Sequence, residues 1–312
     1  MIQEHRHELA FLRDLIETRV RVCTGAEGSP FLADAFGWSY TLSPSGVPPE
    51  VEEMAANLYR EGRMDEAQSV FRLLLDCFGA FANGYNYLGL IALDRGQLEP
   101  AEEHFRRTIE VGRKQFPSRL AKQHYWTLLE IRPFLRGLRN LTLTLARAGR
   151  DDEALDLCDR LDRRYGDDIT AAAHRATIHL NRSNWAESFE AAKGLSELYP
   201  EQNLIAALAA HELGRQREAT WRFLHAAVTH PRATSMVLRI RTERPTARST
   251  HDEVSDHNCG VGFLNELERF LRTWRAPARA SFTRLFHHPK VQRLGGGAAR
   301  RGATLERPAR TA

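Results

Sequence analysis

The sequence has few cysteines, and they are widely separated. Cys23, Cys77, Cys158 and Cys259 are the only four in 312 residues, and no two of them form a Cys-x-x-Cys pair. Such pairs are typical of structural zinc sites, and dense cysteine sets are typical of disulfide-stabilised secreted domains. We therefore expect neither kind of structure and interpret these residues as buried or chemically idle thiols.

Long apolar runs are also missing. No segment approaches the roughly 20 consecutive apolar residues that a membrane-spanning helix needs. The N-terminal residues carry charge from Glu4 onward and contain no apolar core like that of a secretory signal peptide. The sequence thus predicts no membrane segment and a cytoplasmic location.

Motifs of common catalytic folds are absent as well. The sequence contains no Gly-x-x-x-x-Gly-Lys-Ser/Thr phosphate loop, no Gly-x-Gly-x-x-Gly following a strand and no Gly-x-Ser-x-Gly elbow. Alternating strand patterns are almost absent, so an α/β catalytic core is not expected. We predict that the protein is not an enzyme and that it binds no cofactor.

The sequence contains one cluster of potential metal ligands. It consists of His251, Asp252, Asp256, His257 and Cys259. These residue types can bind a transition metal, but their spacing matches no zinc motif and would not converge on one face of a helix. The favoured interpretation is a polar helix start whose side chains form hydrogen bonds, and a metal-dependent enzyme is the less favoured one.

Charge is unevenly distributed along the chain. The 44 basic residues include only four lysines, and they exceed the 40 acidic residues by a net +4. From Arg269 to the C-terminus there are eleven basic residues and one acidic residue, Glu306, so the preceding part is net negative. Such a tail attracts nucleic acid, acidic proteins or anionic lipid, although a solvated tail without a role is the favoured interpretation.

An internal repeat organises the middle of the sequence. Five segments share a Gly or Ser, an Ala or Ser five residues later, and a further apolar residue four positions beyond. These sets are Gly62, Ala67, Phe71; Gly96, Ala101, Phe105; Gly149, Ala154, Cys158; Ser183, Ser188, Ala192; and Gly214, Ala219, Phe223. Successive sets are 34, 53, 34 and 31 residues apart, and the interval of 53 is one period of 34 with 19 extra residues.

This pattern resembles the tetratricopeptide repeat (TPR), a 34-residue helix–turn–helix unit. The residue types suit that unit, because Gly accommodates a tight turn and Ala lets two helices approach closely. Phe one helical turn beyond the Ala fills the space between the helices. The resemblance implies an all-α, TPR-like helix–turn–helix solenoid of about five repeats with flanking capping helices.

We predict four regions from these patterns. Residues 1–47 form an N-terminal amphipathic helix and a linker, and residues 48–233 form the TPR-like array. Residues 234–275 form a connection and a C-terminal capping helix, and residues 276–312 form a basic, largely disordered tail. Within the array the predicted divisions are 48–81, 82–115, an insertion at 116–134, 135–168, 169–199 and 200–233.

Two segments leave alternatives open. The N-terminal helix, residues 4–22, is interpreted as a cap on the first repeat in preference to a dimerisation helix. The insertion is expected to lengthen the following helix, with a kink at Pro133, in preference to adding a separate helix. Its aromatic residues, His124, Tyr125 and Trp126, are expected to pack against the preceding repeat, and exposure to a partner is the alternative.

The resemblance also implies a concave groove lined by fixed positions of each first helix. Carried onto this sequence, these positions are Asn83, Asn86, Leu90, Asp94, Arg136, Arg139, Asn140, Leu143, Arg147, Thr177 and Asn181. Three of these residues are arginines of the third repeat, which predicts an acidic peptide or a free C-terminus as ligand. The alternative is that these arginines are solvated or pair with acids of neighbouring repeats.

These observations favour a protein–protein interaction scaffold that binds a partner peptide, possibly acidic, in the groove of a TPR array. The alternative function is a nucleic-acid-associated regulatory protein that uses the basic C-terminal tail. The sequence leaves the partner and the oligomeric state open.

Overall fold

A computed structural model of the chain describes residues 46–47, 49–116, 120–126, 128–239 and 256–295. Within these residues every regular element is helical, which confirms the all-α prediction. None of the helices in this part of the chain is both long and apolar enough to cross a bilayer.

Most of the helices follow one another with short connections, and the exceptions are the segments 114–131 and 238–255. In chain order they are α1 Pro49–Arg60, α2 Met64–Cys77, α3 Ala82–Asp94, α4 Leu98–Arg113, α5 Arg132–Arg147, α6 Asp151–Tyr165, α7 Asp168–Asn181, α8 Trp185–Leu195, α9 Gln202–Glu212, α10 Gln216–Thr229, α11 Pro231–Val237, α12 Asp256–Glu266, α13 Glu268–Thr273, α14 Ala276–Phe286 and α15 at 289–295.

Five turns between consecutive helices share the same backbone geometry. Each contains one residue with a positive φ, between 64° and 79°: Gly62, Gly96, Gly149, Ser183 and Gly214. The following N–H donates to the carbonyl five residues earlier, at 2.9 Å in all five turns. This six-to-one bond closes the C-terminus of a helix in the Schellman arrangement. The repeat in the sequence therefore corresponds to one turn geometry that recurs between the two helices of each pair.

The second helix of each pair begins in the same way and packs through small residues. Ala67, Ala101, Ala154 and Ala219 are all buried. The N–H of each donates to the carbonyl four residues earlier and so makes the first backbone hydrogen bond of its helix. Ser188 takes the same place in α8 and satisfies its buried hydroxyl by donating to the carbonyl of Ala176 at 2.8 Å. A small side chain at this position lets the paired helices approach closely.

Aromatic residues fill the space that the small residues leave. Phe71, Phe105 and Phe223 are fully buried one helical turn beyond the alanine. Gly89 of α3 shows how close the fit is, because a Cβ added there would lie 2.5 Å from the Phe105 ring. The third set has Cys158 at the aromatic position, also fully buried.

The chain divides into two compact units, Met1–Thr144 and Leu145–Ala312, and the division falls within α5. In the first unit, α1 to α4 pack in sequence order, and α1 to α3 share a core that includes Phe71, Leu74 and Phe81. Its helices thus associate as sequential neighbours, which is the arrangement of a helical solenoid.

In the second unit α6 to α13 also pack in sequence order, and α7 contacts both α9 and α13. Helix α9 has no exposed face from Gln202 to Ala210, where every residue is buried. Its sequence is accordingly apolar almost all round, as expected for a helix enclosed by others.

The insertion differs from the expectation of a lengthened, kinked helix. Two single-turn 3₁₀ helices, Lys122–His124 and Leu129–Ile131, precede α5, which begins at Arg132. Pro133 therefore lies in the first turn of α5, where the missing N–H has no intrahelical partner to lose, and it starts a helix instead of bending one.

The prediction of a largely disordered tail from residue 276 is wrong for residues 276–295. Helices α14 and α15 occupy this segment and bury Phe282, Phe286 and Val291 in the core of the second unit. The Phe282 ring lies 4.5 Å from that of Phe223 in α10. Aromatic burial therefore orders a segment whose charge suggested disorder.

The predicted capping helix is divided in two. A turn at Leu267 separates α12 from α13, with α12 packed on α11 and α13 on α7. The predicted N-terminal helix at 4–22 and the final residues 296–312 lie outside the described residues.

Ser183 is the one serine among the five left-handed turn residues, and it generates a stability prediction. Replacing Ser183 with Gly should stabilise the protein by about 0.5–1 kcal/mol, because glycine adopts this conformation without the Cβ penalty. The free energy of unfolding would be measured by urea titration followed by circular dichroism.

The reverse exchange, Gly214→Ser, is the matched control. A Cβ at Gly214 meets nothing within 4 Å, so the substitution tests the backbone alone. It should destabilise by about 1 kcal/mol. The two effects need not be equal in size. A destabilising effect of Ser183→Gly would contradict the view that Ser183 is strained in the left-handed conformation.

Candidate functional site

The predicted groove residues of the first unit lie on α3 and α5 and are joined by hydrogen bonds. Asn83 Nδ2 donates to Glu52 Oε1 of α1 at 2.6 Å. Arg136 Nη1 of α5 donates to Asn83 Oδ1 at 3.5 Å. One polar chain thus connects the first helices of three successive pairs.

A pair of asparagines makes a second connection. Asn140 Nδ2 donates to Asn86 Oδ1 at 2.9 Å, and Asn86 is almost fully buried. Among the described residues, Asn140 Oδ1 and Asn86 Nδ2 take part in no other hydrogen bond. These two atoms are therefore an acceptor and a donor without a partner in the described part of the chain, and a peptide backbone pairs with groups of both kinds.

We call this surface the first-helix face. It comprises the predicted groove residues of the first unit together with Glu52: Glu52, Asn83, Asn86, Leu90, Asp94, Arg136, Arg139, Asn140 and Leu143. Leu90 and Leu143 are half-buried on it, while Asp94 and Arg136 are exposed. It therefore offers apolar, amide and charged groups together.

The charge of the first-helix face is mixed. Arg136 and Arg139 are accompanied by Glu52 and by Asp94, whose carboxylate accepts a hydrogen bond from the Tyr59 hydroxyl at 2.8 Å. Burial raises the pKa of Glu52, while the Asn83 hydrogen bond and the charge of Arg136 oppose that increase. The expected preference for an acidic ligand is consequently concentrated at Arg136 and Arg139.

The insertion contributes to the same face through Trp126. The Arg139 guanidinium carbon lies 4.1 Å from the centroid of the Trp126 ring, a cation–π contact that holds the arginine in place. The neighbouring Tyr125 is buried against Phe116, with ring centroids 6.0 Å apart, whereas His124 is exposed. The expectation that these aromatic residues pack within the protein is therefore confirmed for Tyr125. Trp126 instead contacts Arg139, one of the predicted groove residues.

Glu52 was not among the predicted groove residues. It lies 34 residues before Asn86, at the equivalent position of the first repeat. Extending the same register one period toward the N-terminus would have identified it.

The three remaining predicted groove residues, Arg147, Thr177 and Asn181, belong to the second unit and have other contacts. The charge of Arg147 acts on the Glu266 carboxyl. Asn181 Nδ2 donates to the carbonyl of Glu266 at 2.7 Å, and the N–H of Phe270 donates to Asn181 Oδ1 at 2.9 Å. Thr177 is buried and donates to the carbonyl of His174 within its own helix. The face around Asn181 is covered by α12 and α13 of the same chain.

The Asn181 carboxamide occupies a specific place between α12 and α13. A continuous helix would have a backbone bond from the N–H of Phe270 to the carbonyl of Glu266, and the side chain bridges these same two groups. Insertion of a side chain into the helical bond pattern is a known cause of a sharp bend. The turn at Leu267 lies within this bridge.

An ion pair strengthens the same contact. Arg269 of α13 binds Asp151 at the start of α6 through both terminal nitrogens, at 2.5 and 3.0 Å. Asp151 is nearly buried, and the bidentate geometry is the stronger form of an arginine–carboxylate pair. The contacts of Phe270 with Asn181 and of Arg269 with Asp151 thus hold α13 against α7 and α6.

The candidate metal cluster divides between described and undescribed residues. His251 and Asp252 lie outside the described residues, and no group of three or more potential ligands occurs within them. Asp256 instead accepts hydrogen bonds from the N–H groups of Arg232 and Ala233, both at 2.7 Å, at the start of α11. This agrees with the favoured interpretation of hydrogen-bonding polar side chains.

The described cysteines differ in exposure, with Cys158 buried and Cys259 half-buried. Burial raises the pKa of Cys158 and that of Cys259 to about 12. Both are therefore protonated and poorly nucleophilic at neutral pH. Cys77 is exposed.

Comparison with known proteins assigns the chain to no family. No protein-family model matches it, and no curated protein sequence matches it.

Glu266 of α12 gives a prediction about pH. Burial of its carboxyl raises the pKa from 4.5 to about 7, and the charge of Arg147 partly opposes the increase. The folded protein therefore binds more protons than the unfolded chain across this window, so stability falls as pH rises from about 4.5 to 7. Because the residue is only half-buried as a whole, we expect a loss of about 1–2 kcal/mol.

The substitution Glu266→Gln should remove this pH dependence and make the variant more stable than the wild type at pH 8. Unfolding midpoints at pH 5.5 and 8 would measure it. Glu268→Gln is the control, because its carboxylate is exposed and pairs with Arg272. If both variants keep the wild-type pH profile, Glu266 is not the responsible group.

Proposed function

We propose that this protein is a TPR-like interaction module that binds an extended segment of a partner protein along the first-helix face. The proposal includes a cytoplasmic location and no catalytic role. It rests on the resemblance of the repeat to the TPR and on the recurrence of one turn geometry at the five repeat positions, two of whose four intervals are 34 residues.

The observation that carries the proposal is the asparagine pair. Asn86, almost fully buried, holds the half-buried Asn140 by one hydrogen bond, which leaves the Asn140 oxygen as an acceptor for a ligand. Extended peptides need such groups along their length, because their own backbone N–H and C=O groups do not hydrogen-bond to one another. Because the amides are already fixed, little side-chain freedom is lost when a peptide binds.

The charged groups of the face would select among peptides. Arg136 is exposed at the end of the Glu52–Asn83 chain, and Arg139 is held by Trp126. A guanidinium restrained in this way binds a carboxylate with two parallel hydrogen bonds. We propose a partner segment with an acidic side chain or a free C-terminus near these arginines.

Charge reversal of the two arginines tests this proposal. A partner captured by the wild-type full chain would first be identified and purified, and its affinity would then be measured by calorimetry. The double substitution Arg136→Glu and Arg139→Glu should weaken binding at least about tenfold, since it replaces attraction by repulsion. Helicity should be unchanged.

The control is the double substitution Arg72→Glu and Arg217→Glu. Both residues are exposed on second helices, and the change in net charge is the same. The control should bind normally. Equal affinities for the two double variants, whether both normal or both reduced, would contradict binding at the first-helix face.

A further inference from the structure

The C-terminal helices carry an uninterrupted excess of positive charge. Between residues 269 and 295 there are seven arginine or lysine residues and no aspartate or glutamate. Helices α14 and α15 lie within this range and are packed on the second unit. Their positive charge therefore belongs to an ordered part of the molecule.

Three of the seven cations are engaged within the protein. Arg269 pairs with Asp151, Arg272 pairs with Glu268, and Arg279 donates to the carbonyls of Leu271 and Trp274. The Arg272–Glu268 pair is exposed within α13, whereas Arg269 reaches α6 and Arg279 is half-buried.

The other four cations have no carboxylate partner among the described residues. They are Arg275, Arg284, Lys290 and Arg293, all of them exposed, and we call them the basic C-terminal surface. In the repeats, exposed arginines such as Arg95 and Arg182 pair with Asp65 and Asp152, whereas residues 269–295 contain no carboxylate side chain that could neutralise these four cations. An exposed set of unneutralised cations attracts a polyanion.

The orientation of these side chains follows from the packing of the helices. Helix α14 buries Ala278, Phe282 and Phe286, and Arg284 lies on its exposed side. In α15, Val291 is buried while Lys290 and Arg293, three residues apart, are exposed. Both helices bury their apolar sides in one core, so the cations face away from it.

The same packing identifies the class of polyanion. A helix that binds a membrane surface inserts an apolar face, but α14 and α15 bury theirs in the core, and Leu294 is the one large apolar residue that these two helices expose. Single strands are bound by stacking of bases on exposed aromatics, yet Trp274, Phe282 and Phe286 are buried. What is exposed is a set of cations, which is suited to the phosphate backbone of a duplex.

We propose that the basic C-terminal surface binds the phosphate backbone of double-stranded nucleic acid without reading its bases. Helix α14, with 11 residues, is about 16 Å long, which spans several phosphates of one strand. The surface uses no residue of the first-helix face. Its test is therefore independent of partner-protein binding.

The experiment uses fluorescence anisotropy with the full chain and a labelled 20-base-pair duplex of arbitrary sequence. If four phosphates are neutralised, the affinity should fall about 100-fold between 50 and 200 mM salt. The quadruple variant Arg275→Gln, Arg284→Gln, Lys290→Gln and Arg293→Gln should lose most of the binding and most of the salt dependence. Circular dichroism would verify that it remains folded.

Two further variants separate the surface from other sources of charge. The variant Arg72→Gln, Arg160→Gln, Arg163→Gln and Arg217→Gln has the same net charge change at exposed positions of the repeats. A chain ending at residue 295 lacks the last basic residues. Both should retain most of the affinity for the duplex.

The proposal is overturned by any of four results. These are no duplex binding by the wild type at 50 mM salt, equal loss in the two charge-matched variants, loss on truncation alone, or binding to phosphatidylserine vesicles but not to the duplex.

Discussion

One left-handed residue at the end of each first helix is the constraint on which the repeat depends. It reverses the chain within three residues and lets the next N–H close the helix that has just ended. Because the reversal is the same each time, a small residue follows it at the same place in the first turn of the next helix, an alanine in four pairs and Ser188 in the fifth. The close helix contacts and the aromatic filling follow from this geometry.

The two units use their first helices differently. In the first unit, side chains of α1, α3 and α5 bond to one another. In the second unit, Asn181 binds the backbone of the chain's own later helices. Asn181 lies two residues before its turn residue, at the repeat position of Asp94 and Arg147, and there it serves the internal assembly of the second unit.

The sequence predicted what depends on local chemistry. The turn glycines, the alanines and their spacing specify paired helices because each acts within a few residues of itself. Carrying fixed positions from repeat to repeat found Asn83, Asn86, Arg136 and Asn140, which the structure joins by hydrogen bonds. It did not find Glu52, because the register was not extended to the first repeat.

Long-range contacts were beyond the sequence patterns. Nothing near Asn181 signals that its amide binds a backbone 85 residues away. The charge of residues 276–295 concealed an apolar spacing of four at Ala278, Phe282 and Phe286, which marks one side of a helix. Pro133 was misjudged because a proline in a helical sequence can either bend a helix or begin one, and the choice depends on where the preceding segment packs.

The bond between Asp151 and Arg269 joins residues that are 118 positions apart. A contact of this separation closes a large loop, and such contacts form late and slow the folding of the part that contains them. During synthesis, α6 to α10 emerge long before Arg269, so the surface that α13 and α14 cover is exposed to other chains for that interval. The second unit therefore completes its folding only when its C-terminal helices have left the ribosome.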